Sequence, residues 1–173
     1  RYVLDEARYE LDWMLKMQDQ ESGGVYHKVT ALVFPETVAA VDETDQLVLA
    51  PISYTATGDF AAVMAEASVI YADIDKEFAD TCLKAAEKAY AYLEANEGMK
   101  GYKNPEEIVT GEYPDNATAD EKFWAASELY IVTKDNKYLD TVKEMVNDRP
   151  ATGLGWADIG GYVLYDLAVA EDL

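Results

Sequence analysis

A chain of 173 residues, half of them hydrophobic, is long enough for one domain with a sizeable core and too apolar to remain disordered. Its 34 acidic residues against 14 basic leave a net charge of −20, a surface that repels phosphate backbones and anionic headgroups and argues against nucleic acid and membrane partners. No apolar run approaches the ~20 residues that span a bilayer, no signal peptide is visible, and the single cysteine, Cys82, rules out an internal disulfide.

In chain order, residues 1–18 place Leu4, Ala7, Leu11, Met14 and Leu15 at a helical period, and Ser22-Gly23-Gly24 stops the pattern. The chain opens inside this amphipathic pattern, which suggests that its true beginning lies upstream. Residues 25–56 read as irregular, with short strands around 25–33 and 46–50 and an acidic turn at Asp42, Glu43 and Asp45. A stretch of that length without regular structure is unusual in a compact domain and often functional. A second helix is expected over 59–71, with Phe60, Val63, Met64, Ala67 and Ile70 on one face. A third, over 75–95, carries Phe78, Cys82, Leu83, Ala86, Tyr90 and Leu93, so Cys82 is expected to be a small buried hydrophobe. A loop rich in Gly, Pro, Asn and Glu follows. Further helices are expected over 118–133, 137–146 and about 158–173, the first two joined at Lys134-Asp135-Asn136. Tyr9, Trp13, Trp124 and Tyr130 fall on helices and read as core.

The expectation is an all-α fold of about six helices in hairpins, with short turns on one side and long loops on the other. That asymmetry is what an α/α toroid produces, with ligand-binding loops gathered on one face. Two acidic turns stand out: Thr110–Glu121, which leads into an aromatic-rich helix, and Gly155-Trp156-Ala157-Asp158. By spacing alone they gather oxygen ligands at two helix starts, suited to a hard cation. Thr118-Ala-Asp-Glu121 also reads as a capping box, with acids favoured by the helix dipole.

Several segments, in order, resemble the middle of the catalytic module of family 9 glycoside hydrolases, the inverting endoglucanases. They are Leu4–Gln18, Gly23–Thr30, Ser53–Ala65, Ala85–Leu93, Asp120–Tyr130 and Gly155–Gly161. Tyr54 and Gly58 depart from the small and alanine residues usual there. The resemblance covers nearly the whole chain and implies one unit, residues 1–173, cut from an (α/α)6 barrel: a partial toroid. It implies that Asp120, Glu121 and Asp158 match calcium-coordinating positions, with main-chain oxygens near Asn116 and Ala117 completing the site. Ala117 replaces a glycine common in that turn. His27 matches a loop position that contacts glucan in the cleft; as a bare residue it reads equally as a surface histidine. Tyr113 and Trp156 offer stacking surfaces for glucose rings, with ordinary packing as the alternative.

What is absent also matters. The family's Asp-Ala-Gly-Asp motif, which carries the catalytic base, and its Pro-His-His-Arg and general-acid motifs do not occur here. Inverting hydrolysis needs two carboxyl groups ~6.5–9.5 Å apart with a water between them. The reading is therefore a fragment, inactive alone, of a secreted, extracellular cellulase acting on β-1,4-glucan (cellulose or cello-oligosaccharides). Its exposed inner helices are expected to self-associate. The alternative is a non-enzymatic helical scaffold or carbohydrate-binding module.

Overall fold

The computed structural model describes residues 2–147 and 153–170. Helix α1 (Tyr2–Met14) runs through a 3-10 turn (Leu15–Met17) into a ribbon of two-residue strands: β1 (Val25–Tyr26), β2 (Val29–Thr30), β3 (Val48–Leu49) and β4 (Ile52–Ser53). Then come α2 (Tyr54–Tyr71), α3 (Lys76–Ala95), α4 (Ala119–Thr133), α5 (Asn136–Met145) and α6 (Gly160–Val169). The end of the expected last helix, residues 171–173, lies outside the described residues.

Three helices, α2, α4 and α6, lie side by side, while α3 packs on α2 and α5 on α4 from outside. This is the alternation of inner and outer helices expected of a partial toroid. The inner role of α2 follows from its sequence: Phe60, Ala61, Ala62, Met64 and Ala65 are all fully buried, so apolar side chains cover most of its circumference. Gly58 permits the close approach of α4, because a Cβ there would stand 2.5 Å from the Cβ of Glu121. The outer layer is tied on by aromatic contacts. Tyr90 of α3 meets Tyr138 of α5 edge-on at 5.0 Å and donates to the Thr141 hydroxyl at 3.2 Å.

Local chemistry explains the helix boundaries. Helix α2 starts several residues before the apolar period does, because the Ser53 side chain caps the Ala56 N–H. Asp75 and Asp135 cap α3 and α5 in the same way. The expected capping box at α4 does not form: Thr118 makes no side-chain cap, and Glu121 is turned inward and buried. Lys134 takes the left-handed conformation, φ 55°, that ends α4 and lets α5 begin at once. Cys82 is fully buried, as expected.

The expectation that Tyr9 and Trp13 belong to the core is corrected. Tyr9 is 75% exposed and Trp13 42%. Helix α1 is held at one edge by Tyr71, which donates to the Leu4 carbonyl, and by Arg8, which pairs with Asp75. Along it Tyr2, Val3 and Tyr9 stand exposed, and Trp13 borders a hollow shared with Phe60.

Candidate functional site: an aromatic ledge beside buried carboxyls

The ribbon that holds the first part of the site is pinned from α2. The fully buried Thr57 hydroxyl donates to the Ser53 carbonyl and accepts from the Val25 N–H, at 2.6 and 2.9 Å. Antiparallel pairing then runs from Val25↔Ser53 to Thr30↔Val48, with His27 N–H donating to the Pro51 carbonyl between the two ladders. His27 is thus not on a loose loop. Its Nδ1 lies 2.9 Å from the Ser53 hydroxyl, and its ring stacks on Tyr102 at 3.6 Å and 7°. Burial, and then the neighbouring Lys28, hold its pKa down to about 4, so the ring is neutral at ordinary pH.

Lys28 reaches the other way. Its ammonium donates to the Gly111 carbonyl and lies 5.8 Å from the Tyr102 ring and 6.0 Å from the Tyr113 ring. Thr30 and Thr110 join hydroxyls at 2.8 Å, fixing the same loop. Tyr113 adopts φ 51°, a conformation bulky residues rarely take. The strain presents its ring to solvent, 59% exposed, edge-on to the 62% exposed Trp156 with centroids 5.9 Å apart. The two expected stacking residues, distant in sequence, form one open corner.

Below the ribbon lies a largely apolar hollow of about 180 Å3, bordered by Trp13, Tyr26, His27, Asp59 and Phe60 among others. Asp59 has one carboxyl oxygen buried without a hydrogen bond. Burial, reinforced by Asp120 and Asp115, pushes its pKa to about 7. The sequence held the signal for it, an acid set between Gly58 and the apolar run Phe60-Ala61-Ala62.

The expected metal residues lie near the facing starts of α4 and α6. Asp120 accepts from the Ile159 N–H at 3.0 Å, which binds the start of α4 to the start of α6. Asp158 accepts from the Gly160 N–H at 3.4 Å, and Gly153 leaves room for its carboxyl. Glu121, 1% exposed, is pushed far above the carboxylate range, first by burial and then by Asp120. Asn116 and Ala117 are exposed, while the Asp115 side chain turns inward against Glu121. Asp115 was not singled out from the sequence: an acid in a turn-rich loop looks like any other. One oxygen each of Asp115 and Glu121 is buried without a partner. Among the described residues, no three His, Cys, Asp or Glu side chains already stand as a metal-binding group.

The glycosyl hydrolase family 9 model matches residues 1–171. A xyloglucan-specific endo-β-1,4-glucanase of Bacteroides ovatus is 42% identical over 167 residues, 90% of this chain and 28% of that protein. A cellodextrinase of Butyrivibrio fibrisolvens is 35% identical over 174 residues, 92% of this chain and 32% of that protein. Among solved structures, a single mutant of the thermostable endoglucanase from Alicyclobacillus acidocaldarius superposes with a TM-score of 0.90 at 40% identity, over 95% of this chain and 31% of that one. AaCel9A in complex with cellobiose-like isofagomine gives 0.91 at 40% identity, over 96% and 32%. The chain thus spans about 30% of the length of these relatives.

Proposed function

Since the chain belongs to glycosyl hydrolase family 9, we propose that it is part of a cellulase that hydrolyses β-1,4-glucan with inversion, and that these residues bind and orient the glucan. The observation that carries the reading is the exposed right-angled corner of Tyr113 and Trp156. A glucose ring has apolar C–H faces and polar edges, so one aromatic face can take the ring while the other borders its neighbour. Lys28 and the Thr30–Thr110 pair set the position of the Tyr113 loop. His27, neutral and stacked, offers a ring edge to the hollow rather than a charge.

Proton transfer would come from residues outside this segment. Of the carboxyls here, Asp120 and Asp158 accept backbone N–H groups, Asp115 and Glu121 are buried against one another, and Asp59 borders the hollow.

Calcium is part of the same proposal. The donor set is oxygen only, and the unpartnered buried oxygens of Asp115 and Glu121 suit a hard cation in type. Asp120, Glu121 and Asp158 would hold it, helped by carbonyl oxygens near Asn116 and Ala117. Its role would be to join two helix starts. Calcium should then raise the melting temperature, and Asp158→Ala should remove that rise.

The decisive experiment titrates cellohexaose into the purified chain and follows tryptophan fluorescence and heat. Trp156→Ala should weaken binding about tenfold, ~1.4 kcal/mol for one lost stacking surface. Reducing-sugar assays on the same samples should show no turnover. Unchanged affinity in Trp156→Ala and Tyr113→Ala would overturn the reading.

A further inference from the structure

The hollow below the ribbon is walled by apolar and aromatic side chains, among them Trp13, Met17, Tyr26 and Phe60. Of the described residues that border it, Asp59 is the one acid. Its place follows from α2: Ala56, Asp59 and Phe60 recur at three- and four-residue spacing and so share one face of that helix. Among the described residues no hydrogen bond reaches the Asp59 carboxyl, and one of its oxygens is buried. His27, on the same rim, is already engaged, with Nδ1 at the Ser53 hydroxyl and one ring face on Tyr102. A buried acceptor without a donor costs stability, so the folded chain alone gains nothing from this carboxyl.

We propose that the hollow is a seat for one pyranose ring of the glucan, and that Asp59 holds that ring by its hydroxyls. The inference rests on the glucan reading and adds to it a second seat, apart from the aromatic corner. The size fits: the hollow measures about 180 Å3, and an apolar cavity of ~150 Å3 takes a benzene ring. The walls fit as well. A pyranose has apolar C–H faces, which Trp13, Tyr26 and Phe60 can cover. Its edges carry hydroxyls, which need an acceptor in an otherwise apolar wall. A hydrocarbon would leave the carboxyl unpaired, and a hard cation would need several oxygens where the rim offers one carboxyl. Contacts run from this seat to the corner: His27 stacks on Tyr102, and Lys28 lies 5.8 Å from the Tyr102 ring and 6.0 Å from the Tyr113 ring.

The three tryptophans of the chain make the two seats separately visible. Trp13 borders the hollow, Trp156 forms the corner, and Trp124, stacked on Tyr162, serves as reference. In the chain labelled with fluorotryptophan, cellohexaose should shift the fluorine NMR signals of Trp13 and Trp156. Asp59→Leu should weaken the Trp13 response at least ~tenfold, the loss of a charged acceptor, with the Trp156 response kept and the melting temperature not lowered. Asp59→Asn, which retains one acceptor oxygen, should restore part of the Trp13 response. Ala56→Met, which fills the hollow and leaves Asp59 in place, should remove it. A Trp13 signal that cellohexaose leaves unmoved while Trp156 shifts overturns the seat and spares the corner; the reverse supports the seat and overturns the corner. A Trp13 response that survives Asp59→Leu at full strength overturns the role of Asp59. One produced equally by butylamine, which has no hydroxyls, overturns the sugar assignment.

Discussion

Single positions in this molecule are set by contacts between helices more than by exposure to solvent. At Gly58 an added methyl would meet the Cβ of Glu121 at 2.5 Å and its backbone carbon at 3.0 Å. Gly58→Ala should therefore destabilise the chain by about 1–3 kcal/mol, even though alanine is the better helix former. Urea unfolding measures it, and an increase in stability would show that α2 and α4 can separate at no cost. Glu128 acts through pH. Its folded pKa is raised, so the unfolded chain loses its proton first, near pH ~4.3. From there upward the unfolded state binds fewer protons than the folded one, and stability falls as pH rises through neutrality. Below the unfolded value the penalty vanishes. Glu128→Gln should flatten the decline in urea midpoint between pH 5 and 8; an unaltered slope would place the titration elsewhere. The sequence disclosed the acids at helix starts but neither Glu128 nor Asp115, because nothing local distinguishes an acid that faces solvent from one that faces a neighbouring helix.

Elements were legible wherever a period or a cap was local. Helix α3 ends where its sequence implied, since Asp75 caps one end and the run of small and apolar residues stays in phase. The start of α2 was missed because Ser53, a capping residue, precedes Tyr54-Thr55-Ala56-Thr57, which carries no apolar stripe of its own. Position on the barrel, not periodicity, decides that those residues are buried. Likewise Tyr9 and Trp13 have a core residue's chemistry, yet Tyr9 stands exposed and Trp13 only borders the hollow. Thr57 is where two elements depend on one atom. Thr57→Val keeps the shape and removes the acceptor for the Val25 N–H. It should cost about 1–3 kcal/mol, the desolvation penalty of an unsatisfied buried donor. Amide exchange at Val25 should accelerate more than exchange at core amides of α3. Equal acceleration would mean a global effect and not a loosened ribbon.

At the scale of the molecule, both ends of the helical row carry exposed apolar side chains: Tyr2, Val3, Tyr9 and Trp13 on α1, and Tyr162, Tyr165 and Val169 on α6. Patches of several hundred Å2 rarely stay open in a soluble monomer. The isolated chain should self-associate at micromolar concentration, as light scattering would reveal. A compact monomer that binds no hydrophobic dye would refute this. The ribbon has a consequence of another kind. Residues 33–47 project beyond two nested clamps at their base: the Thr30–Val48 pairing, reinforced by the Val109–Leu32 hydrogen bond, and behind it the Val25–Ser53 pairing. Val33, Phe34, Val41 and Leu47 stand exposed along it, which makes the excursion the natural first target of a protease. Severing it breaks the covalent chain without breaking either clamp. A chymotrypsin nick near Phe34 should therefore yield two pieces that separate on a denaturing gel yet travel together under native conditions, with the helical spectrum intact.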